Sequence, residues 1–209
     1  MNLILLGPPG AGKGTVAGSI KNEYKDILHL STGDLLRAEI KNGTELGMQA
    51  KAVIDKGELV PDEIIIGMVA NILKEHKGGV MFDGFPRTVA QAEALEKIAD
   101  IDIVVQLDAD IEVVTKRMCT RRICRACGAV HNITLMKGDP NVCEQCGGEL
   151  YIRPDDNEET ARERFRVYME NTSKLVDYYN NKGIVFKVDA NRHFTEVASE
   201  VIGELNKLK

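Results

Sequence analysis

The sequence predicts an α/β fold in which a parallel β-sheet carries helices on both faces. Three observations predict it. The strand candidates are continuous apolar runs, as in sheets buried on both sides, rather than alternating ones. They alternate with helical stretches along most of the 209 residues. The first of them runs straight into a glycine-rich loop that opens a helix.

The elements follow in order. "NLILL", Asn2 to Leu6, is a compact apolar strand, followed by "GPPGAGKGT" and a helix to about Lys25. "ILHLSTGDLLRAEI" reads as a short strand, a capping Ser/Thr/Asp cluster and a helix. "TELGMQAKAVIDKGELVP" has helical spacing and stops at Gly57 and Pro61, and a helix with carboxylates in its first turn begins at Asp62. "GVMFDGFPRT" supplies a strand ending at Asp83, with a helix from Val89 to Lys97 after it. Ile101 to Leu107 is another strand, and "IEVVTKRMCTRR" is a helix that leads into a cysteine segment. A long helix is predicted from Asn157 to Asn180, then a last strand "GIVFKVDA" and a last helix. The stretch from about Ile123 to Asp156 lacks this rhythm and reads as an insertion.

Composition excludes some classes. Hydrophobic residues make up 44% and charged residues 28%, which supports a buried core. The net charge of −5 argues against a dedicated nucleic-acid binder, which carries a basic excess to displace counterions. No apolar run approaches the roughly 20 residues of a membrane helix, and "LILLG" is too short for a signal peptide. A soluble, cytoplasmic protein is predicted, with cysteines that are ligands or free thiols rather than disulfides.

The glycine-rich loop predicts a phosphate cradle. Gly7, Gly10, Gly12 and Gly14 permit a tight path in which successive N–H groups converge on an anion, and Lys13 can reach terminal phosphates. A plain strand-to-helix turn is the bland alternative, but it needs fewer glycines. Gly14 stands where the common pattern has Ser or Thr, and Thr15 comes next, so magnesium is expected to be held mostly by phosphates and water. Asp83 ends a buried strand, where a carboxylate can orient magnesium-bound water or simply cap the next segment.

Cys124, Cys127, Cys143 and Cys146 form C-x2-C-x15-C-x2-C, a four-thiolate pattern for zinc or another tetrahedral metal. Four protein ligands close the coordination sphere, so the metal is expected to be structural. Spacing leaves iron open, and disulfides or idle thiols are the alternatives. Cys119 is left over and reads as a packing residue.

"GPPGAGKGT", "STGDLLR", "DGFPRT" with Gln91 four residues past Arg87, and "RPDDNEETARER" occur in that order, and the chain resembles the adenylate kinases over nearly its whole length. The insert resembles the zinc-bearing form of that family's long lid. The resemblance implies a P-loop NTPase type core at 1–30, 61–120 and 160–209, an AMP-binding subdomain at 31–60 and a lid at 121–159. It places AMP against Thr32, Arg37, the backbone of Glu58, Leu59 and Val60, and Gly84, Phe85, Pro86 and Arg87, with Gln91 reading the adenine edge and Arg153 and Arg164 on the phosphates. ATP falls to Gly10, Ala11, Gly12, Lys13, Gly14 and Thr15, with Arg121 on its phosphates and Arg117, Val130, His131 and the backbone close to Arg192 beside its adenine. Asp83 and Asp34 orient magnesium-bound water. A fifth metal ligand is the competing role for His131. Two stretches depart from the family's pattern: "AVHN" has valine where tyrosine is common, and "ENTSKLVDYY" replaces a stretch with glutamine and proline.

The implied reaction is reversible transfer of the terminal phosphoryl group of Mg-ATP to AMP, giving two ADP. Lys13, Arg37, Arg87, Arg121, Arg153 and Arg164 supply the positive charge that holds two polyanions end to end. No general base is needed, because a phosphate acceptor is already an anion at neutral pH. The resemblance also implies a monomer whose partners are ATP, AMP and ADP, with no membrane or nucleic acid. A kinase for UMP or CMP is the close alternative; a P-loop switch and a zinc-containing nucleic-acid module are the distant ones.

Overall fold

Five parallel strands form the central sheet in the computed structural model, which describes residues 1–208. They are β1 (Leu3–Leu6), β2 (Leu28–Ser31), β3 (Val80–Asp83), β4 (Ile103–Asp108) and β8 (Val185–Asp189), paired in the order β2-β3-β1-β4-β8. Register puts Leu5 beside Asp83 and Leu6 beside Gln106. Along β1 the side chains alternate between two cores. Leu3 and Leu5 pack with Val16, Ile20 and Val201, while Ile4 and Leu6 pack with Phe82, Val69 and Leu95. Both faces of the strand are therefore dry, which is why its sequence is apolar without alternation. Each leucine so buried contributes roughly 1.5–3 kcal/mol.

Four of the helices begin where a Ser, Thr or Asn side chain satisfies one of their first N–H groups. Ser31 caps α2 (Thr32–Asn42), Thr44 caps α3 (Glu45–Ile54) and Thr88 caps α5 (Val89–Glu96). Asn157 caps α7 (Glu158–Val167). α1 (Lys13–Glu23), α4 (Asp62–Glu75), α6 (Ile111–Cys119), α8 (Lys174–Asn180) and α9 (Phe194–Leu205) complete the set. α2 and α3 approach so closely that a Cβ on Gly47 would lie 2.3 Å from the Glu39 carbonyl, so this position requires glycine. No described helix is long and apolar enough to cross a membrane.

Two boundaries differ from the sequence reading. β4 runs from Ile103 to Asp108, starting two residues later than the apolar run, and the N–H of Asp102 just before it donates to the carbonyl of Asn2. The long helix predicted from Asn157 to Asn180 is broken by a π-helical turn, Tyr168–Thr172. The wider turn buries Thr172, whose hydroxyl donates to the carbonyl of Arg87 at 2.9 Å. Such single π turns inside helices recur at functional sites.

The insertion is a separate antiparallel sheet of β5 (Arg121–Cys124), β6 (Val130–Asn132) and β7 (Leu150–Tyr151), in the order β6-β5-β7. Its buried cluster is Cys124, Cys143 and Leu150, with Ala129 and Met136 against it. That is too little apolar area to hold a sheet by itself.

Candidate active site

The loop between β1 and α1 builds an anion site from backbone. Gly7, Gly10 and Gly12 all have positive φ, and α1 starts without any side-chain cap, so its first N–H groups stay open to a ligand. Lys13 begins the helix and donates through Nζ to the carbonyls of Gly7 (2.7 Å) and Pro8 (2.9 Å). Burial lowers its pKa to about 8; Asp83 opposes this, and the charges of Arg87, Arg121 and Arg164 add to it. A cation so destabilised gains most from an arriving phosphate.

Asp83 ends β3 half-buried, its Oδ2 3.3 Å from His29 Nε2. Immediately after it the chain turns through Gly84. The Gly84 carbonyl accepts from the Thr32 hydroxyl and from Arg87 Nε, both at 2.8 Å. Arg87 is thereby aimed along the strand ends. Burial, then repulsion by Arg164, lowers its pKa to about 10, with Asp83 opposing and Arg37 adding.

The other arginines come from three separate elements. Arg121, at the start of β5, is bidentate to Asp156, with Nε donating to Oδ2 at 2.8 Å and a second bond from Nη2 to Oδ1. Arg164 Nη1 lies 2.7 Å from Asp155, and Arg37 Nη2 2.5 Å from Asp34. Burial pushes the carboxyls of Asp155 and Asp34 up, but Arg164 and Arg37 respectively outweigh it and hold both below the ordinary value. Arg153 is the exception: its buried Nε has no hydrogen-bond partner among the described residues. Burial and the charges of Arg37 and Arg121 lower its pKa, with Asp156 and Asp34 opposing. An unpaired buried donor among like charges is a place that awaits an anion.

Lys13, Arg37, Arg87 and Arg164, but not Arg121 or Arg153, border a cleft with about 1050 Å³ of atom-free space, part of it open to solvent. Thr32, Arg37, Glu58, Leu59, Val60, Gly84, Pro86, Arg87, Gln91 and Arg164 line it together with Lys13. Phe85 does not line it with its side chain, which is buried in the core against Phe82 at a ring distance of 6.4 Å. Its contribution is confined to the turn it makes. Gln91 is only 2% exposed and its amide is bonded at both ends, Oε1 to the N–H of Arg87 and Nε2 to Asp62. The sequence reading missed Tyr168 and Thr172, which also line the cleft. No local signal marks them, because they reach it through the π turn.

On the other side of the loop, Arg117 donates to the carbonyls of Ala190 (2.7 Å) and Arg192 (3.1 Å). The guanidinium of Arg192 is taken up by Glu200 and the carbonyl of Asp189, so its backbone is what faces Arg117. Val130 is 50% exposed on the lid. The ring of His131 is turned inward, with Nε2 3.2 Å from Cys143 Sγ and Nδ1 3.9 Å from Glu144. What His131 can offer an adenine is therefore backbone, since its ring packs beneath the sulfur cluster.

The four cysteine sulfurs lie within 4.8 Å of one another, with Cys124 3.5 Å from Cys146 and Cys127 3.7 Å from Cys143. All are free of disulfides. Tetrahedral zinc with Zn–S near 2.3 Å puts its sulfurs roughly 3.8 Å apart, so these residues fit such an ion. Backbone N–H groups, first that of Cys127, hold the Cys124 thiol well below its ordinary value against the effect of burial. The Cys146 thiol goes the other way: the Gly148 N–H favours its charged form, but the neighbouring Cys127 and Cys124 sulfurs outweigh that and push it up, so the four thiols do not all ionise by themselves.

Residues 5–184 match the family model described as adenylate kinase. The chain is 50% identical over 217 aligned positions to an adenylate kinase of Archaeoglobus fulgidus, covering 100% of both. It is 47% identical to one from Bacillus licheniformis, covering 96% of each, and 46% identical to one from Bacillus subtilis, covering 100% of each.

Proposed function

The chain belongs to the adenylate kinase family, and from that premise we propose how its residues divide the transfer of a phosphoryl group from Mg-ATP to AMP. The UMP/CMP alternative is not favoured, since the full-length relatives at 46–50% identity are adenylate kinases.

In this reading the N–H groups of Gly10, Gly12, Lys13 and Gly14, with the Lys13 ammonium, take the phosphates of ATP, while those of Ala11 and Thr15 are bonded to the carbonyls of Pro8 and Gly12. Its base lies toward Arg117, the backbone near Arg192, Val130 and the His131 backbone. AMP enters the cleft between 31–60 and the core, with Thr32 and Val60 beside it, Gln91 on the base, and Arg37 and Arg87 on the phosphate. Arg121, Arg153 and Arg164 close on the phosphates between the two nucleotides. Magnesium, bound with ATP, screens charge on the transferring group; Asp83 and Asp34 are the carboxylates that would face its water shell, and His29 steadies Asp83.

The chain's own work is positioning and neutralisation. The acceptor oxygen is already anionic, so no side chain has to remove a proton. Two anions brought in line repel, and six fixed cations offset that repulsion in a site from which water is excluded. The lid at 121–159, braced by zinc on Cys124, Cys127, Cys143 and Cys146, closes the site and denies the phosphoryl group to water. The protein acts as a cytoplasmic monomer on ATP, AMP and ADP.

The unpartnered Nε of Arg153, set among Arg37 and Arg121, is the observation that carries this reading. Its test is ADP formation from ATP and AMP by the protein and by Arg87→Ala. Loss of a phosphate-clamping arginine is expected to lower kcat/KM by about 10³-fold or more. Near-normal turnover of the variant would overturn the AMP-phosphate assignment.

A further inference from the structure

A glutamine amide can sit in two orientations of nearly the same shape, related by a half-turn that exchanges its oxygen and nitrogen. At Gln91 only one of them is satisfiable. Nε2 donates to Asp62 Oδ1 at 2.7 Å, and Oε1 accepts from the backbone N–H of Arg87 at 2.7 Å. A carboxylate can only accept and a backbone N–H can only donate. The flipped amide would set oxygen against oxygen and N–H against N–H, in a side chain that is 2% exposed.

The partners are themselves fixed. Asp62 Oδ2 accepts from the Thr88 hydroxyl at 2.7 Å. That hydroxyl, its proton spent on Asp62, accepts the N–H of Gln91 at 3.2 Å and so caps α5. The carbonyl of Arg87 is held by Thr172. Gln91 lines the cleft, whereas Asp62, 29 residues away in sequence at the start of α4, does not.

We infer that Asp62 is a specificity-determining positioning residue, which holds Gln91 in the one orientation that accepts a 6-aminopurine and rejects a 6-oxopurine. The inference rests on the reading of Gln91 as the residue that meets the base of the acceptor nucleotide. After its two internal bonds the amide keeps one acceptor site on Oε1 and one proton on Nε2. Adenine offers the complement, an N6 donor beside an N1 acceptor. Hypoxanthine and guanine offer the reverse, an O6 acceptor beside an N1–H donor. They would pair with the flipped amide, which Asp62 and the Arg87 N–H forbid.

The test compares kcat/KM for AMP and for IMP, at saturating Mg-ATP, in the full chain and in Asp62→Asn, Asp62→Ala and Gln91→Ala. Asparagine keeps the shape of Asp62 but can donate as well as accept, so it removes the Asp62 half of the lock without a cavity and leaves the Arg87 N–H in place. The ratio of AMP to IMP efficiency is expected to fall at least tenfold in Asp62→Asn, with IMP efficiency rising in absolute terms. A merely structural role would depress both substrates in parallel and leave the ratio alone. If Gln91→Ala collapses the ratio while both Asp62 variants preserve it, Gln91 reads the base and the lock is wrong. If Gln91→Ala also preserves the ratio, the base-reading role fails and takes this inference with it.

Discussion

The guanidinium of Arg121 and the carboxylate of Asp156 meet side by side through two hydrogen bonds, and the carboxylate is fully buried. The pair ties the first strand of the lid to the segment that leaves it, 35 residues later. A buried ion pair contributes little relative to an apolar pair, but removing one partner leaves the other desolvated and unmatched. Asp156→Ala is expected to cost about 3 kcal/mol in the nucleotide-free protein. The loss should shrink when a bisubstrate mimic supplies phosphates to Arg121 instead. Thermal melts of both proteins with and without the mimic check this.

Metal removal should act on stability before chemistry. The lid's own core is Cys124, Cys143 and Leu150, so ligation replaces burial there. Chelation, or Cys143→Ser, is expected to lower the melting temperature and to abolish turnover only as the lid melts. Activity measured well below that temperature should stay close to the untreated value. A chelated sample that is folded but inactive in the cold would contradict the structural role.

Lys13 predicts a pH dependence with a definite sign. Its pKa falls from 10.5 in the unfolded chain to about 8 in the cradle. Between those values the unfolded state binds more protons, so stability rises with pH as this strain is relieved. Relative to Lys13→Met, the nucleotide-free protein should therefore gain stability from pH 8 toward 10.5. Urea unfolding of both proteins across that range, with shared titrations cancelling in the difference, measures it. A flat or falling difference would show that the lysine is not desolvated there.

Thr172 is expected to matter beyond its size. Its buried hydroxyl donates to the carbonyl of Arg87, which lines the cleft and is proposed to hold the AMP phosphate. Thr172→Val removes that donor and should cost about 1 kcal/mol of stability. The KM for AMP should rise while that for ATP stays put. Equal changes in both would place its effect in general packing.

What could be read from sequence follows a physical line. β1 was legible because burial on both faces writes itself as an unbroken apolar run, and the cradle because four glycines around a lysine have few other uses. The cysteine spacing carries its geometry with it. The π turn at Tyr168–Thr172 was not legible, since its residues fit a helical pattern and the extra residue shows only in the backbone. Neither was the inward turn of His131, whose neighbour Cys143 is 12 residues on. The partner of Gln91 was not legible either, because Asp62 lies in another helix.

The central claim is that six cations gathered at the strand ends hold two nucleotides end to end through their phosphates. A crystal structure with two adenosines bridged by five phosphates tests it most directly. Arg121 and Arg164 should have turned from Asp156 and Asp155 to the bridging oxygens, and Arg153 Nε should have found its acceptor among them. Guanidinium groups still paired with those carboxylates, beside a bridge that none of them touches, would contradict the account.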